Sequence, residues 1–167
     1  MRRGREQGAA LVVFPEQSLG GYPALDLWEE TGFVEANAAA LRRLALSVGE
    51  TAALVGFVDR NRARVGKPVA NAVALLHRGR IQAVRWKTLL PNYDVFDEAR
   101  YFEPARRNEP MRFKGLSLGV TICEDAWAPV TQGSKTLYGI DPVRRQVKAG
   151  ADLLINISAS PFVRGKR

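Results

Sequence analysis

With 167 residues, the chain has the length of one ordinary domain and enough material for a real core. Hydrophobic residues make up 46% and charged ones 25%, the balance of a soluble globular protein, and no apolar run approaches the roughly 20 residues of a membrane helix. One cysteine and one histidine exclude an internal disulfide and a zinc site built from Cys and His, and they make the cytoplasm the default compartment. The net charge of +8 comes from arginines scattered along the chain. No zinc-finger or RNP motif accompanies them and no aromatics interleave a basic stripe, so neither a nucleic-acid nor a membrane partner is expected.

In chain order, Arg2 to Gln7 suits the last turns of a helix with Gly8 as its stop. Leu11-Val12-Val13-Phe14 is a short apolar run ended by Pro15 and reads as a buried strand. It is too short for a signal-peptide core, and Pro15-Glu16 stands where small residues would mark a cleavage site. Gly20 to Pro23 is a loop. Phe33, Ala36, Ala40, Leu44 and Val48 recur at helical spacing up to Gly49. Ala52 to Val58 is a second strand, and Asp59 to Pro68 a polar loop. Val73 to Leu76 and Ile81 to Trp86 form a hairpin about Gly79, which leaves His77 as a solvated loop residue. Leu90 to Arg107 is a long ordered loop, the kind that tends to carry function. Met111 to Phe113 and Leu116 to Ile122 form another strand pair, and Ala128 to Gly139 a second long loop. Asp141-Pro142 opens a helix with Val143 and Val147 on one face and Gly150 at its end. Asp152 to Ile157 is the last strand. Strand pairs joined by turns, interleaved with helices, imply an α/β fold with a mixed sheet, or two sheets, with helices outside.

Three reactive side chains occupy equivalent places: Glu16 after the first strand, Lys87 after Trp86, and Cys123 after Ile122. Sites in such sheets form beyond the carboxyl ends of strands. If these strands lie side by side, the trio suits acyl transfer. The ammonium favours a thiolate, the carboxylate takes the proton, and the lysine with a backbone N–H holds the charge that develops on a carbonyl oxygen. Position alone also allows a bland reading. Cys123 is then a small buried hydrophobe, Lys87 an edge residue, Glu16 a solvated loop acid, and Tyr101 and Trp127 packing.

The surrounding motifs add to this. Phe14-Pro15-Glu16 with Gly21-Tyr22-Pro23, then Lys87-Thr88-Leu89-Leu90-Pro91-Asn92-Tyr93 with Val95-Phe96-Asp97-Glu98 and Arg100-Tyr101-Phe102, resemble the first two signatures of the nitrilase (carbon–nitrogen hydrolase) superfamily. Ile122-Cys123-Glu124-Asp125-Ala126-Trp127 and Asn156 to Phe162 with Gly165-Lys166 resemble its cysteine and substrate segments, in the form found in glutaminase domains of glutamine-dependent NAD synthetases. The resemblance runs from about residue 8 to 167. It implies a four-layer α-β-β-α sandwich, incomplete at both ends. It also implies Glu16 as general base, Lys87 as transition-state stabiliser and Cys123 as nucleophile. Tyr93, Ser160 and Lys166 fall on positions that hold glutamine, and Tyr22, Glu124 and Trp127 on pocket-lining positions.

The same resemblance implies L-glutamine as substrate, a synthetase domain of the same parent chain as partner, and a homo-oligomer. No cofactor is implied for the 1–167 domain. The resemblance implies ATP and Mg2+ for the synthetase domain; within this chain Gly20-Gly21 lacks the Lys and helix start of a phosphate loop. The expectation is therefore a partial glutaminase domain. A stand-alone amidase acting on another small amide, and a non-catalytic interaction domain, remain open beside it.

Overall fold

The computed structural model describes residues 1–128, 131–132, 135–161 and 164–165. A one-turn helix α1 (Arg2–Glu6) leads into β1 (Leu11–Val13), a 3-10 turn (Leu25–Glu29) and the long helix α2 (Thr31–Ser47). Three longer strands follow: β2 (Ala52–Arg60), β3 (Val69–His77) and β4 (Arg80–Trp86). The helical turn α3 (Glu98–Tyr101) interrupts the long loop before β5 (Met111–Phe113) and β6 (Leu116–Ile122). A 3-10 turn (Cys123–Trp127), the short strands β7 (Thr131–Gln132) and β8 (Lys135–Thr136), α4 (Pro142–Lys148) and β9 (Leu153–Ile157) complete the described chain.

The described residues form two sheets, as the sequence allowed, and a small β7–β8 ribbon. One has the order β1-β2-β3-β4, parallel only between β1 and β2; the other has the order β5-β6-β9, with β6 and β9 parallel. Strand alternation assigns the faces. Leu54, Val73 and Leu75 meet Met111, Leu118, Val120 and Ile122 of the second sheet. Ala53, Val55, Phe57, Ala72 and Leu76 point the other way, onto Leu41 and Ala45 of α2. With α4 packed on β6, the layers are α-β-β-α. β3 is buried at every position, which is why its sequence reads as a continuous apolar run and not as an alternation.

α2 buries Val34, Asn37, Leu41 and Ala45 at three- and four-residue spacing, and the Asn37 side chain accepts a hydrogen bond from Val58 N at 3.2 Å. Asp141 caps α4 by accepting from Arg144 N at 2.8 Å, with Pro142 in the first turn as its sequence predicts. Two expectations change. α4 buries Pro142 and Gln146, leaving Val147 exposed, because the Gln146 amide is wanted inside as a polar tie. His77 is not solvated: β3 extends through it, and its ring lies edge-on to Phe113 with centroids 5.4 Å apart.

Gly56 on β2 lets the turn after β1 lie flat on the sheet. A Cβ there would meet Pro15 O, Gln17 N at 2.5 Å and Glu16 Cα at 2.8 Å. Gly56→Ala is expected to cost about 1–3 kcal/mol by overpacking, read as a lowered midpoint in thermal or urea unfolding.

Candidate active site

Glu16, Lys87 and Cys123 come together, but not because their strands lie side by side: β1 and β4 are opposite edges of one sheet, and β6 belongs to the other. Glu16 and Lys87 have fully buried side chains, which removes the solvated-loop and edge readings. Lys87 Nζ donates to Glu16 Oε1 at 2.8 Å and to Glu98 Oε1 at 2.7 Å. Asn71 on β3 donates from Nδ2 to Glu16 Oε1 at 2.7 Å and reaches Glu98 Oε2 at 3.4 Å. Glu16 Oε2 accepts from Ala159 N at 3.0 Å, so the segment after β9 is tied to the turn after β1. Tyr22 donates to Glu98 Oε1 at 2.9 Å.

Two carboxylates thus share one ammonium out of water. Burial alone would depress Lys87, but Glu98 and Glu16 outweigh it and hold the amine above its ordinary value, so it stays charged. Burial, reinforced by Glu16, raises the Glu98 carboxyl against the pull of Lys87. Cys123 sits on this cluster at a φ of 45°, a left-handed conformation that costs a non-glycine residue energy and is common at functional sites. Burial pushes its thiol up and Glu16 adds to that; Lys87 and a hydrogen bond with Ser158 work in the opposite direction. An ammonium has three protons. Glu16 and Glu98 are the only partners found for Lys87 Nζ among the described residues, which leaves one proton for a group placed against Cys123.

Asp125 fixes how the lysine and cysteine strands end. Its Oδ1 accepts from Thr88 N at 2.9 Å and Leu89 N at 2.8 Å, and its Oδ2 from Ile122 N at 3.1 Å. One buried carboxylate therefore grips the backbone just after Lys87 and just before Cys123. Thr88 Oγ1 also accepts from Asn108, whose Oδ1 accepts from Gln146 of α4, and Gln146 donates in turn to Val120 O of β6. The ring of contacts closes on the strand that carries Cys123.

Beside Cys123, the Glu124 carboxylate is buried and receives two phenols. Tyr138 donates to Oε1 at 2.7 Å, and the Tyr93 hydroxyl lies 2.9 and 2.8 Å from Oε1 and Oε2. Burial and Glu124 push the Tyr93 hydroxyl up to about 12. Trp127 is 56% exposed, at the end of the turn that starts with Cys123, and Ser160 is exposed beyond β9. Lys166 lies outside the described residues. Glu98, Asn71, Asp125 and Tyr138 carry no role in the sequence reading. Glu98 stood in a quoted motif among several loop acids, and nothing in the sequence marks Asn71 as facing two carboxylates.

A family model for carbon–nitrogen hydrolases matches residues 2–133, and the chain belongs to that family. Its similarity is narrower than the family alone. It is 39% identical over 164 residues to a glutamine-dependent NAD(+) synthetase of Synechocystis, covering 96% of this chain and 29% of that protein. It is also 39% identical to the enzyme of the same description from Xanthomonas campestris, covering 95% and 26%. The chain therefore spans less than a third of these relatives' length. The solved structure of a glutamine-dependent NAD+ synthetase from Acinetobacter baumannii, in complex with adenosine diphosphate, superposes with a TM-score of 0.82 at 30% identity, over 97% of this chain and 28% of that one. An amidase from Nesterenkonia shares the fold alone, with a TM-score of 0.70 at 23% identity over 93% of this chain and 54% of that one.

Two outcomes test the site's construction. Lys87→Met leaves two buried acids without their cation and is expected to cost about 3–5 kcal/mol in urea unfolding. Burial raises Asp125 from 3.8 to about 6. The folded state then binds that proton more tightly, so the group's contribution to stability is full below about pH 4 and lost as pH rises through about 6. Relative to Asp125→Asn, the wild type is expected to lose on the order of 3 kcal/mol between pH 4 and pH 7, read from paired unfolding curves.

Proposed function

We propose that this site hydrolyses the side-chain amide of glutamine through a Cys123 thioester, releasing ammonia. The observation that carries the reading is the buried Glu16–Lys87–Glu98 cluster set against a strained Cys123. A purely structural role would favour apolar packing there over two acids and an amine at zero to slight exposure.

Glu16 takes the thiol proton as Sγ attacks the amide carbon. The third Lys87 proton and a backbone N–H at the turn beginning with Cys123 hold the oxyanion; one such donor is typically worth about 10²–10³ in rate. The proton passes from Glu16 to the leaving nitrogen, the C–N bond breaks and ammonia departs. Water then gives a proton to Glu16 and its hydroxide oxygen to the thioester carbon. Glutamate leaves, and the proton returns to sulfur. Glu98, with Tyr22 hydrogen-bonded to it and Asn71 beside it, holds the lysine in line.

The Glu124 cluster favours an amide that carries an ammonium. A carboxylate offers about four lone-pair sites. The two phenols, Tyr93 and Tyr138, supply two protons, which leaves room for a cationic donor beside the nucleophile. Glutamine's α-ammonium fits that description. Ser160, Lys166 and Trp127 are assigned by resemblance to the remaining contacts with it. Similarity to glutamine-dependent NAD(+) synthetases supports delivery of the ammonia to an ATP-dependent synthetase domain that amidates deamido-NAD. ATP and Mg2+ belong to that step and not to residues of this chain. No described helix is long and apolar enough to cross a membrane, and a cytoplasmic setting accords with the chemistry.

In the protein that carries this chain, glutamine-dependent ammonia release is expected to fall at least about 10³-fold in Cys123→Ala. Equal release by the variant rejects the catalytic reading, and release from other small amides but not glutamine rejects the substrate. Tyr138→Phe removes one hydrogen bond to Glu124 and is expected to raise KM for glutamine about 5-fold, with kcat within about 2-fold.

A further inference from the structure

Asn71 is the one polar side chain of β3 before His77, in a strand otherwise made of Val, Ala and Leu, and it is fully buried. Its backbone carbonyl accepts from Lys87 N at 2.8 Å, just where β4 ends. Its Nδ2 donates to Glu16 Oε1 at 2.7 Å and reaches Glu98 Oε2 at 3.4 Å. Its Oδ1 has no hydrogen-bond partner among the described residues. A buried acceptor left unpaired costs stability, and an apolar residue of similar shape would avoid that cost. Turning the amide over would set Oδ1 against two carboxylates. The side chain is thus placed for what its N–H groups do to the acids.

Glu16 is the acid it holds at the shorter distance. A carboxylate has about four lone-pair sites, two on each oxygen. Oε1 accepts from both Lys87 Nζ and Asn71 Nδ2, which fills its sites. Oε2 accepts from Ala159 N alone among the described residues, which leaves one site open. Ser158, the residue before Ala159, hydrogen-bonds with Cys123. The segment that holds Oε2 therefore also meets the thiol.

We infer that Asn71 is a positioning residue of the hydrolytic reaction: by filling the second site of Glu16 Oε1, it leaves Oε2 as the one oxygen that takes the proton of Cys123. This rests on the reading that Cys123 and Glu16 hydrolyse an amide, whichever amide that is. In the first step the S–H bond breaks and an O–H bond forms on Oε2. The sulfur electron pair bonds to the amide carbon, and the carbonyl π pair moves to its oxygen. Oε2 then gives the proton to the leaving nitrogen and takes the next one from water. Without Asn71, Oε1 regains an open site, and a proton held there is out of line for either transfer. Loss of a donor to the charged form also makes a carboxylate easier to protonate.

Asn71→Leu tests this in the protein that carries this chain, with kcat and KM for glutamine followed across pH. kcat is expected to fall about 10-fold or more with KM within about 2-fold. The acid limb of the kcat profile is expected to move up by about one pH unit. A residue that only packs the strand would change stability and leave that limb in place, so an unmoved limb in the active variant overturns the inference. A crystal structure of the wild type is expected to place Cys123 Sγ nearer Glu16 Oε2 than Oε1. The reverse order overturns the inference even if the variant fails to fold or shows no activity. A wild type that releases ammonia from no small amide is a different failure, since it rejects the hydrolytic reading itself and the role of Asn71 with it.

Discussion

The Lys87 ammonium, held between the Glu16 and Glu98 carboxylates with no solvent exposure, is the interaction on which the rest of this structure depends. An amine taken out of water is stable as a cation only if opposite charge and hydrogen bonds replace hydration. Here the replacement comes from two separate stretches of chain, the turn after β1 and the helical turn in the long loop, while Asn71 on the central strand β3 donates to Glu16 and so fixes one of the two acids. Each had to be brought to the same point, and the α-β-β-α layering achieves it by burying β2 and β3 on both faces while leaving their neighbours' ends free to carry polar groups.

Polar ties set the positions that apolar packing leaves loose. Core contacts define which faces meet, but they tolerate sliding along a strand. Asp125 removes that freedom by gripping backbone N–H groups on both sides of the gap between Lys87 and Cys123. Gln146 and Asn108 extend the grip to α4 and β6. The site is therefore rigid for a reason distinct from the stability of the core. Substitutions among these residues disturb alignment without opening a cavity between the sheets.

Much of this was legible in the sequence because it follows from local rules. The apolar runs of β2 and β6, the helical spacing of α2, and Asp141-Pro142 at the head of α4 each declare an element by patterning or capping. The three strand-end residues declared a site by position, and the flanking motifs narrowed its chemistry. What was not legible depends on contacts distant in sequence. Asn71 sits mid-strand in an apolar run, and only the fold shows that its amide faces two acids. Glu98 was one loop acid among several until α3 turned it inward. His77 looked like turn chemistry, yet the strand carries it past the bend into contact with Phe113.

The hydrogen bond from Ala159 N to Glu16 spans 143 positions of the chain. A contact of such long range forms only after both sheets have come together. While the polypeptide is emerging from the ribosome, Glu16, Lys87 and Cys123 can all be present before β9 is made, and the acid then lacks the partner that orients its second oxygen. The centre as described is complete only when β9 is in place.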